Sequence, residues 1–293
     1  MQTKKLTRRI LGILVVMSLC VGGFLVYDRG RPAPIPTKQK LYEGVTYRRV
    51  VRVLPRPLIA HVLEIDTKVN GIEFLVTPAD SEGATPLKAR TTSQFLEEFG
   101  LQIAINGDKF YPWWSHSPAD FYPHVGDPVA PVGFTASQGK VYWIGDIEEV
   151  GIEPTLYINR RNALSFNNQP SRVHHAISGD RMIVLKGEIA PDLDNGELEP
   201  RTAIGINRNG RFLYLVVVDG RQPFYSAGAT FVDLAELLID QGVYAAMSLD
   251  GGGSSTMVVE GENGQPKILN SPIDSYIPGR ERPVGNHLGI YVK

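Results

Sequence analysis

The feature that most limits what this chain can become is an uncharged run from Ile10 to Tyr27, 18 residues long. As an α-helix it spans about 27 Å, close to the roughly 30 Å hydrocarbon core of a bilayer. Lys4, Lys5, Arg8 and Arg9 precede it, with no acid among residues 1–9. That asymmetry predicts a cytoplasmic N-terminus at 1–9, a transmembrane anchor or signal sequence at 10–27, and an exported remainder. Cleavage is the alternative reading: Gly22 and Gly23 lie near the end of the run, but no A-x-A pattern follows. Leu19 is too large for the small residue that precedes a lipidated cysteine, so Cys20 reads as a thiol inside an apolar helix. The exported part then holds no cysteine, which avoids mispairing in an oxidising compartment. The expected location is a bacterial cell membrane, single-pass, or a secreted or periplasmic site after cleavage.

Charge and composition narrow the rest. Beyond residue 9 the chain carries 26 basic and 31 acidic residues, which disfavours a nucleic-acid binder. With 43% hydrophobic and 21% charged residues, it is neither disordered nor a coiled coil. A single cysteine excludes an intramolecular disulfide and a CxxC site. Pro32, Pro34 and Pro36 favour an extended spacer, so residues 28–44 are expected to link the apolar segment to one domain over 45–293.

That domain reads as α+β: a single β-rich, mixed-sheet unit with a few packed helices. His61–Asp66 and Ile72–Val76 are strand-like runs separated by Asn70-Gly71, a hairpin signal. Gln138-Gly139 and Asn209-Gly210 mark two more hairpins, within Val132–Ile144 and Arg201–Val218. Thr92-Ser93 caps a short helix with Phe95, Leu96 and Phe99 inward and Gly100 as its stop. Thr230-x-x-Asp233 is a capping box before an apolar stripe that Gly242 ends. Tyr244–Leu249 and His287–Lys293 are further strands.

The strongest chemical signal is Asp250-Gly251-Gly252-Gly253-Ser254-Ser255-Thr256 between two apolar strands. Consecutive glycines allow close backbone approach and turn several N–H groups into one concavity, which suits an anion. A flexible turn is the plain alternative, but it needs neither three glycines nor three hydroxyls. No Gly-Lys-Ser/Thr follows, so this is no Walker loop. Asp219 and Asp108 also sit at strand ends, where carboxylates converge on one rim of a sheet or simply form turns. Arg201 opens a strand and offers a bidentate guanidinium to a phosphate or carboxylate, or forms an ion pair. Phe110-Tyr111-Pro112-Trp113-Trp114 could stack on a sugar or pack on itself. No HExxH occurs, and His174-His175 is the one close histidine pair.

Taken in order, Asn106-Gly-Asp-x-Phe110, Arg201-Thr-Ala-Ile-Gly205, Asp219-Gly-Arg221, Ser226-x-Gly-Ala-Thr230, Leu249-Asp-Gly-Gly-Gly-Ser-Ser-Thr-Met257 and Arg282-Pro-Val-x-Asn286 are familiar. This set resembles the phosphodiester glycosidase family, of the N-acetylglucosamine-1-phosphodiester alpha-N-acetylglucosaminidase type, whose bacterial relatives are exopolysaccharide-associated. The resemblance spans roughly residues 45–293. It departs where the family often reads Asn-Gly-Gly-Phe-Phe, since Asp108 and Lys109 fill the middle here. It implies a hydrolase that cleaves the glycosidic C–O bond of a sugar-1-phosphodiester. Asp250 is then the expected base or nucleophile, with Asp219 next. Arg201, the Gly251–Gly253 amides, Ser254 and Ser255 are expected to stabilise the anion, with Thr256 in the same loop. Asn106, Asp108 and Asn286 are expected to hold sugar hydroxyls. The expected partners are a sugar-phosphate or glycan and the membrane through 10–27, with no nucleic acid, protein partner, metal or other cofactor. Two other classes stay open: a non-catalytic envelope glycan binder, and a phosphodiesterase acting at phosphorus with a divalent cation held by Asp108, Asp219 and Asp250.

Overall fold

The computed structural model describes residues 2–32, 34–145 and 153–293. Helix α1 (Gln2–Gly30) contains the apolar run. Its Arg9–Gly30 stretch is long and apolar enough to cross a membrane, and the apolar window within it is not buried against the rest of the chain. Ala33, within the expected spacer, lies outside the described residues.

The domain is β-rich with few helices, as expected. Its strands form several sheets, of which the eight-stranded one and a five-stranded one stack as two large layers around a shared core. The eight-stranded sheet runs in the order Thr37–Tyr42, Val45–Arg52, Leu58–Asp66, Phe212–Val218, Arg201–Ile206, Ala245–Ser248, Arg181–Leu185, Glu188–Ile189. A five-stranded sheet holds Pro266–Ile268, Met257–Glu260, Ile103–Asn106, His287–Val292 and Ile72–Val76. A second five-stranded sheet holds Lys140–Trp143, Thr135–Ser137, His175–Ser178, Thr155–Ile158 and Leu164–Phe166. In these three sheets every pairing among the described residues is antiparallel.

Period-two alternation explains the layering. Leu213, Leu215 and Val217 face a core shared with Ile103, Ile105, Met257, Leu288 and Ile290 of the second sheet. Tyr214, Val216 and Val218 face the other way, onto Leu234, Ala235 and Leu238 of helix α3 (Phe231–Asp240). Both faces of Phe212–Val218 are covered, so the strand reads as one apolar run. Helix α2 (Thr92–Phe99) covers the outer face of the second sheet through Phe95 and Leu96.

Local signals are met closely. Thr230 and Asp233 form the reciprocal capping box of α3. The α2 cap is Thr91 rather than Thr92, because Gln94 at N3 reaches back to the Thr91 backbone, and Gly100 ends the helix in αL. Hairpins turn at Gln138-Gly139 and Asn209-Gly210. Asn70-Gly71 is different. Leu58–Asp66 and Ile72–Val76 lie in different sheets, so this turn passes the chain between layers. Gly71 has φ +89°, and a Cβ there would meet Lys293 O at 2.5 Å.

The spacer is also shorter than its prolines suggest. Helix α1 continues to Gly30, and Thr37–Tyr42 is an edge strand paired with Val45–Arg49. Its exposed Lys38 and Lys40 suit an edge that must not recruit further strands. The end of α1 is docked on the domain: Phe224 N donates to Asp28 Oδ2 at 2.7 Å, and the Arg31 guanidinium lies 3.3 Å from the Tyr225 ring centroid.

Candidate active site

Three chain segments meet where the two large layers end. Gly107 N donates to Asn286 O at 2.9 Å, and Asp250 N donates to Gly107 O at 3.0 Å. Asn106, fully buried, braces this junction. Its Nδ2 donates to Asp250 O at 2.7 Å, while Oδ1 accepts from Thr202 Oγ1 at 2.9 Å and Thr256 N at 3.1 Å. Asn286 Oδ1 accepts from Asp108 N at 2.7 Å. Asp108 is buried as well, and its carboxylate accepts from Lys109 N at 2.8 Å and Gly133 N at 2.7 Å.

The glycine-rich loop closes on itself in a single 3-10 turn, Gly252–Ser254. Gly252 N donates to Pro200 O at 2.8 Å, Ser254 N to Gly251 O at 3.2 Å, and Ser255 N to Gly252 O at 3.3 Å. Of the three expected glycine amides, Gly252 N is therefore spent inside the fold. The glycines serve close approach by arginines instead. A Cβ on Gly253 would meet Arg282 Nη2 at 2.5 Å and Asp274 Oδ1 at 2.6 Å. A Cβ on Gly252, at φ +59°, would meet Arg221 Nη2 at 3.0 Å.

Beside this loop lies a cavity of about 280 Å³ lined by Asp250, Arg282, Lys109, Trp113, Phe110 and Val132. Arg282 is aimed by Asp274, whose Oδ1 accepts from Nε at 2.8 Å, and its Nη1 donates to Ser254 Oγ at 3.2 Å. Its guanidinium also sits 5.1 Å from the Trp113 ring centroid. Lys109 pairs with Asp180. One acid and two cations thus face a single opening next to an exposed indole.

The titration behaviour follows from that packing. Burial raises the Asp250 carboxyl above its ordinary value, opposed by Ser254, Arg282, Lys109 and the Gly251 amide. Asp108 is pushed well up by burial and by its neighbours Glu153 and Asp250. Burial raises Glu153 to about 7; Lys109 lowers it and Asp180 raises it. Glu153 Oε2 is buried and makes no hydrogen bond among the described residues. Desolvation is the largest single influence on Asp180 and raises it, but Lys109 and Arg181 together outweigh it and hold the carboxyl below the ordinary range.

The residues expected from sequence divide in two. Asp250 lines the cavity, Gly253 and Ser254 stand directly on Arg282, Gly252 stands beside Arg221, and Gly251 beside Pro200 O. Asn106, Asp108 and Asn286 lie beneath the cavity: Asn106 and Asp108 bond backbone groups and Thr202, while Asn286 accepts from Asp108 N through Oδ1 and its buried Nδ2 has no hydrogen-bond partner among the described residues. Ser255 Oγ accepts from Thr202 Oγ1 at 3.1 Å, and the buried Thr256 Oγ1 makes no hydrogen bond among the described residues. Arg201 is drawn sideways: its Nε donates to Ala229 O at 3.1 Å and its guanidinium lies 4.0 Å from the Phe231 ring centroid. Asp219 is enclosed. His61 Nε2 lies 3.1 Å from Oδ2, and Oδ1 accepts from Ser271 N at 2.7 Å. The three aspartates required by the cation alternative therefore meet N–H donors from several directions. Among the described residues no three His, Cys, Asp or Glu groups stand together as metal ligands. Arg282, Lys109, Glu153 and Asp180 were not expected as site residues. Arg282 had a signal in its Arg-Pro-Val-x-Asn motif; Glu153 and Asp180 had none, because only the fold brings them to Lys109.

The signature of the phosphodiester glycosidase family matches residues 75–291, well over half of the chain. The chain belongs to that family. Short stretches also match curated proteins: 91 residues at 44% identity with the SPbeta prophage-derived uncharacterized protein YomE of Bacillus subtilis, and 64 residues at 42% identity with bovine N-acetylglucosamine-1-phosphodiester alpha-N-acetylglucosaminidase. These matches span 31% and 22% of this chain but only 12% of the length of each relative. The catalytic domain of the zebrafish N-acetylglucosamine-1-phosphodiester alpha-N-acetylglucosaminidase, auto-inhibited by its pro-peptide, superposes with TM-score 0.57 at 21% identity, covering 90% of this chain and 86% of its own. A hypothetical protein from Synechocystis superposes with TM-score 0.59 at 14% identity, covering 89% of this chain and 64% of its own. Those likenesses establish that the phosphodiester glycosidase fold is shared.

Proposed function

We propose that this phosphodiester glycosidase family member hydrolyses the glycosidic C–O bond of a sugar-1-phosphodiester of the N-acetylglucosamine type. It does so on the exported side of a bacterial membrane that residues 10–27 enter or cross. The substrate belongs to the cell envelope or exopolysaccharide. The single observation that carries this reading is the cavity in which Asp250 faces Arg282, Lys109 and Trp113. The names of the bovine and zebrafish relatives support the choice of sugar.

The chemistry follows from charge. Arg282 and Lys109 face the phosphate, and the exposed Trp113 ring offers a flat apolar face to the sugar. A water oxygen bonds to the anomeric carbon as the C–O bond breaks, and the bonding pair leaves with the phosphate as a phosphomonoester. Phosphate is already a good leaving group, so cationic stabilisation of it matters more than a strong general acid. Asp250 takes the proton of the attacking water, or attacks first and is hydrolysed afterwards. The anomeric configuration of the first product separates the two: inversion for a base, retention for a nucleophile.

The test is turnover by the full chain in detergent, on UDP-N-acetylglucosamine and a simple N-acetylglucosamine-1-phosphodiester, in isotopically labelled water. Free sugar bearing the label at its anomeric oxygen, lost in Asp250→Asn, is the expected result. Label in phosphate would mean attack at phosphorus. Saturable binding of intact substrate without turnover would favour the glycan-binding reading.

A further inference from the structure

A second cavity lies outside the site just described. It encloses about 700 Å³ and is lined by Arg160, Arg161, Arg172, Asn159, Ser171 and His174 among others. Among the described residues no acidic side chain lines it. Among the described residues none of its three arginines makes an ion pair, whereas Arg282 and Arg221 of the glycine-rich loop are each held by a carboxylate. Within the same wall the His174 Nδ1 is buried and has no hydrogen-bond partner among the described residues. Three guanidinium groups without an acidic partner among the described residues, around one concavity, repel each other, so the site gains by capturing an anion. Arginine's planar fork matches a phosphate better than a point charge does.

The position of this cavity gives it meaning. His174 immediately precedes the strand His175–Ser178, and Asp180, the partner of Lys109, follows that strand at its other end. Six residues of nearly extended chain separate the two, on the order of 20 Å. The arginine cavity and the Asp250 cavity therefore stand toward opposite ends of one sheet.

We propose that the Arg160–Arg161–Arg172 cavity is a second anion site that holds a distant phosphate of the same substrate, which is accordingly a glycan chain bearing several phosphate groups. This rests on the proposed function, which it extends from a single sugar-phosphodiester linkage to a repeating polymer.

The experiment uses the full chain in nanodiscs of zwitterionic lipid. Short-chain inorganic polyphosphate is titrated by calorimetry, with polygalacturonate as a carboxylate polymer and vesicles of phosphatidylglycerol as an anionic lipid surface. Arg160→Ala/Arg161→Ala/Arg172→Ala is expected to weaken polyphosphate binding about thirtyfold or more. The triple lysine variant should recover part of it, and polygalacturonate should bind more weakly than polyphosphate throughout. Hydrolysis of the simple phosphodiester should be unchanged in the triple alanine variant, which also reports that it is folded. Polyphosphate binding that is absent in the native chain, or equal in native and triple alanine chains, overturns the proposal. So does arginine-dependent capture of the lipid vesicles without capture of polyphosphate. The binding arm needs no turnover, so a chain that hydrolyses nothing would defeat the proposed activity while leaving the binding result readable.

Discussion

Two arginine-lined cavities in this protein are built on opposite principles. At the Asp250 cavity, Arg282 is fixed from below by Asp274, and Lys109 by Asp180, before any ligand arrives. At the second cavity Arg160, Arg161 and Arg172 are exposed and have no acidic partner among the described residues. A paired cation costs little to hold in place and points in one direction, which is what a charge developing in a transition state requires. An unpaired cation is mobile and well hydrated, which suits reversible capture of an anion. The glycines follow the same division. Beside the first cavity Gly253 lets backbone and the Arg282 guanidinium nearly touch, as Gly252 does for Arg221, while a Cβ on Gly139 at the second would meet nothing closer than 4.0 Å.

The largest expected effect breaks the first cavity. Asp250→Asn keeps the shape of the side chain and removes its charge. Sugar release should fall by about a thousandfold or more, measured as kcat on the simple phosphodiester. Arg282→Ala should cost about a hundredfold to a thousandfold in kcat/KM, and Arg282→Lys should recover only part of it, because Asp274 and Ser254 need donors in a fork. Gly253→Ala tests the close approach directly. Its new methyl must displace Arg282 or Asp274, so the expected result is about 1–3 kcal/mol of lost stability in denaturant unfolding, together with lower activity.

Much of this architecture was legible because it is local. Thr230 with Asp233, Asn209-Gly210 and Gln138-Gly139 name their own turns, and the unbroken apolar run Phe212–Val218 fits a strand covered on both faces. The Asp250 loop was legible as a site, since glycines and hydroxyls cluster there without a structural need in a plain turn. Its electrostatics were not. Glu153, Asp180 and Lys109 lie on three separate segments, and only tertiary packing makes them neighbours. Asn106, Asp108 and Asn286 were read as sugar ligands because polar residues at strand ends look available. Here strand ends from both layers converge, and local groups take up the Asn106 and Asp108 side chains and Asn286 Oδ1, leaving Asn286 Nδ2 as the one buried donor of the three without a partner among the described residues. Asn70-Gly71 failed as a hairpin for a related reason: a turn sequence specifies a reversal, not the sheet that receives the next strand.

Glu153 sharpens the comparison through pH. Its folded value of about 7 lies above the ordinary 4.5, so the folded chain holds this proton more tightly than the unfolded chain does. Its contribution to stability is full below about 4.5 and is lost as pH rises through about 7. His175 and His287 act in the reverse sense, since burial lowers them to about 4 and about 3. The observable is therefore the difference between native chain and Glu153→Gln. The thermal midpoint of the native chain should fall relative to the variant as pH rises from 4.5 to 7. A difference that does not change with pH would mean that Glu153 titrates as an ordinary carboxyl.

The smallest effect is expected at the second cavity. Arg172→Ala removes an exposed cation that holds no carboxylate and sits beside two others of the same sign. Losing it relieves repulsion and sacrifices some packing of its apolar stem, two small terms of opposite sign. The thermal midpoint of the full chain should move by about 2 °C or less. Arg282→Ala leaves Ser254 without its guanidinium donor and Asp274 with Arg280 as its one remaining ion pair, so it should move the midpoint several times further. Equal shifts at the two positions would mean that both arginines are structural. The distinction between a cavity set for chemistry and a cavity left open for capture would then disappear.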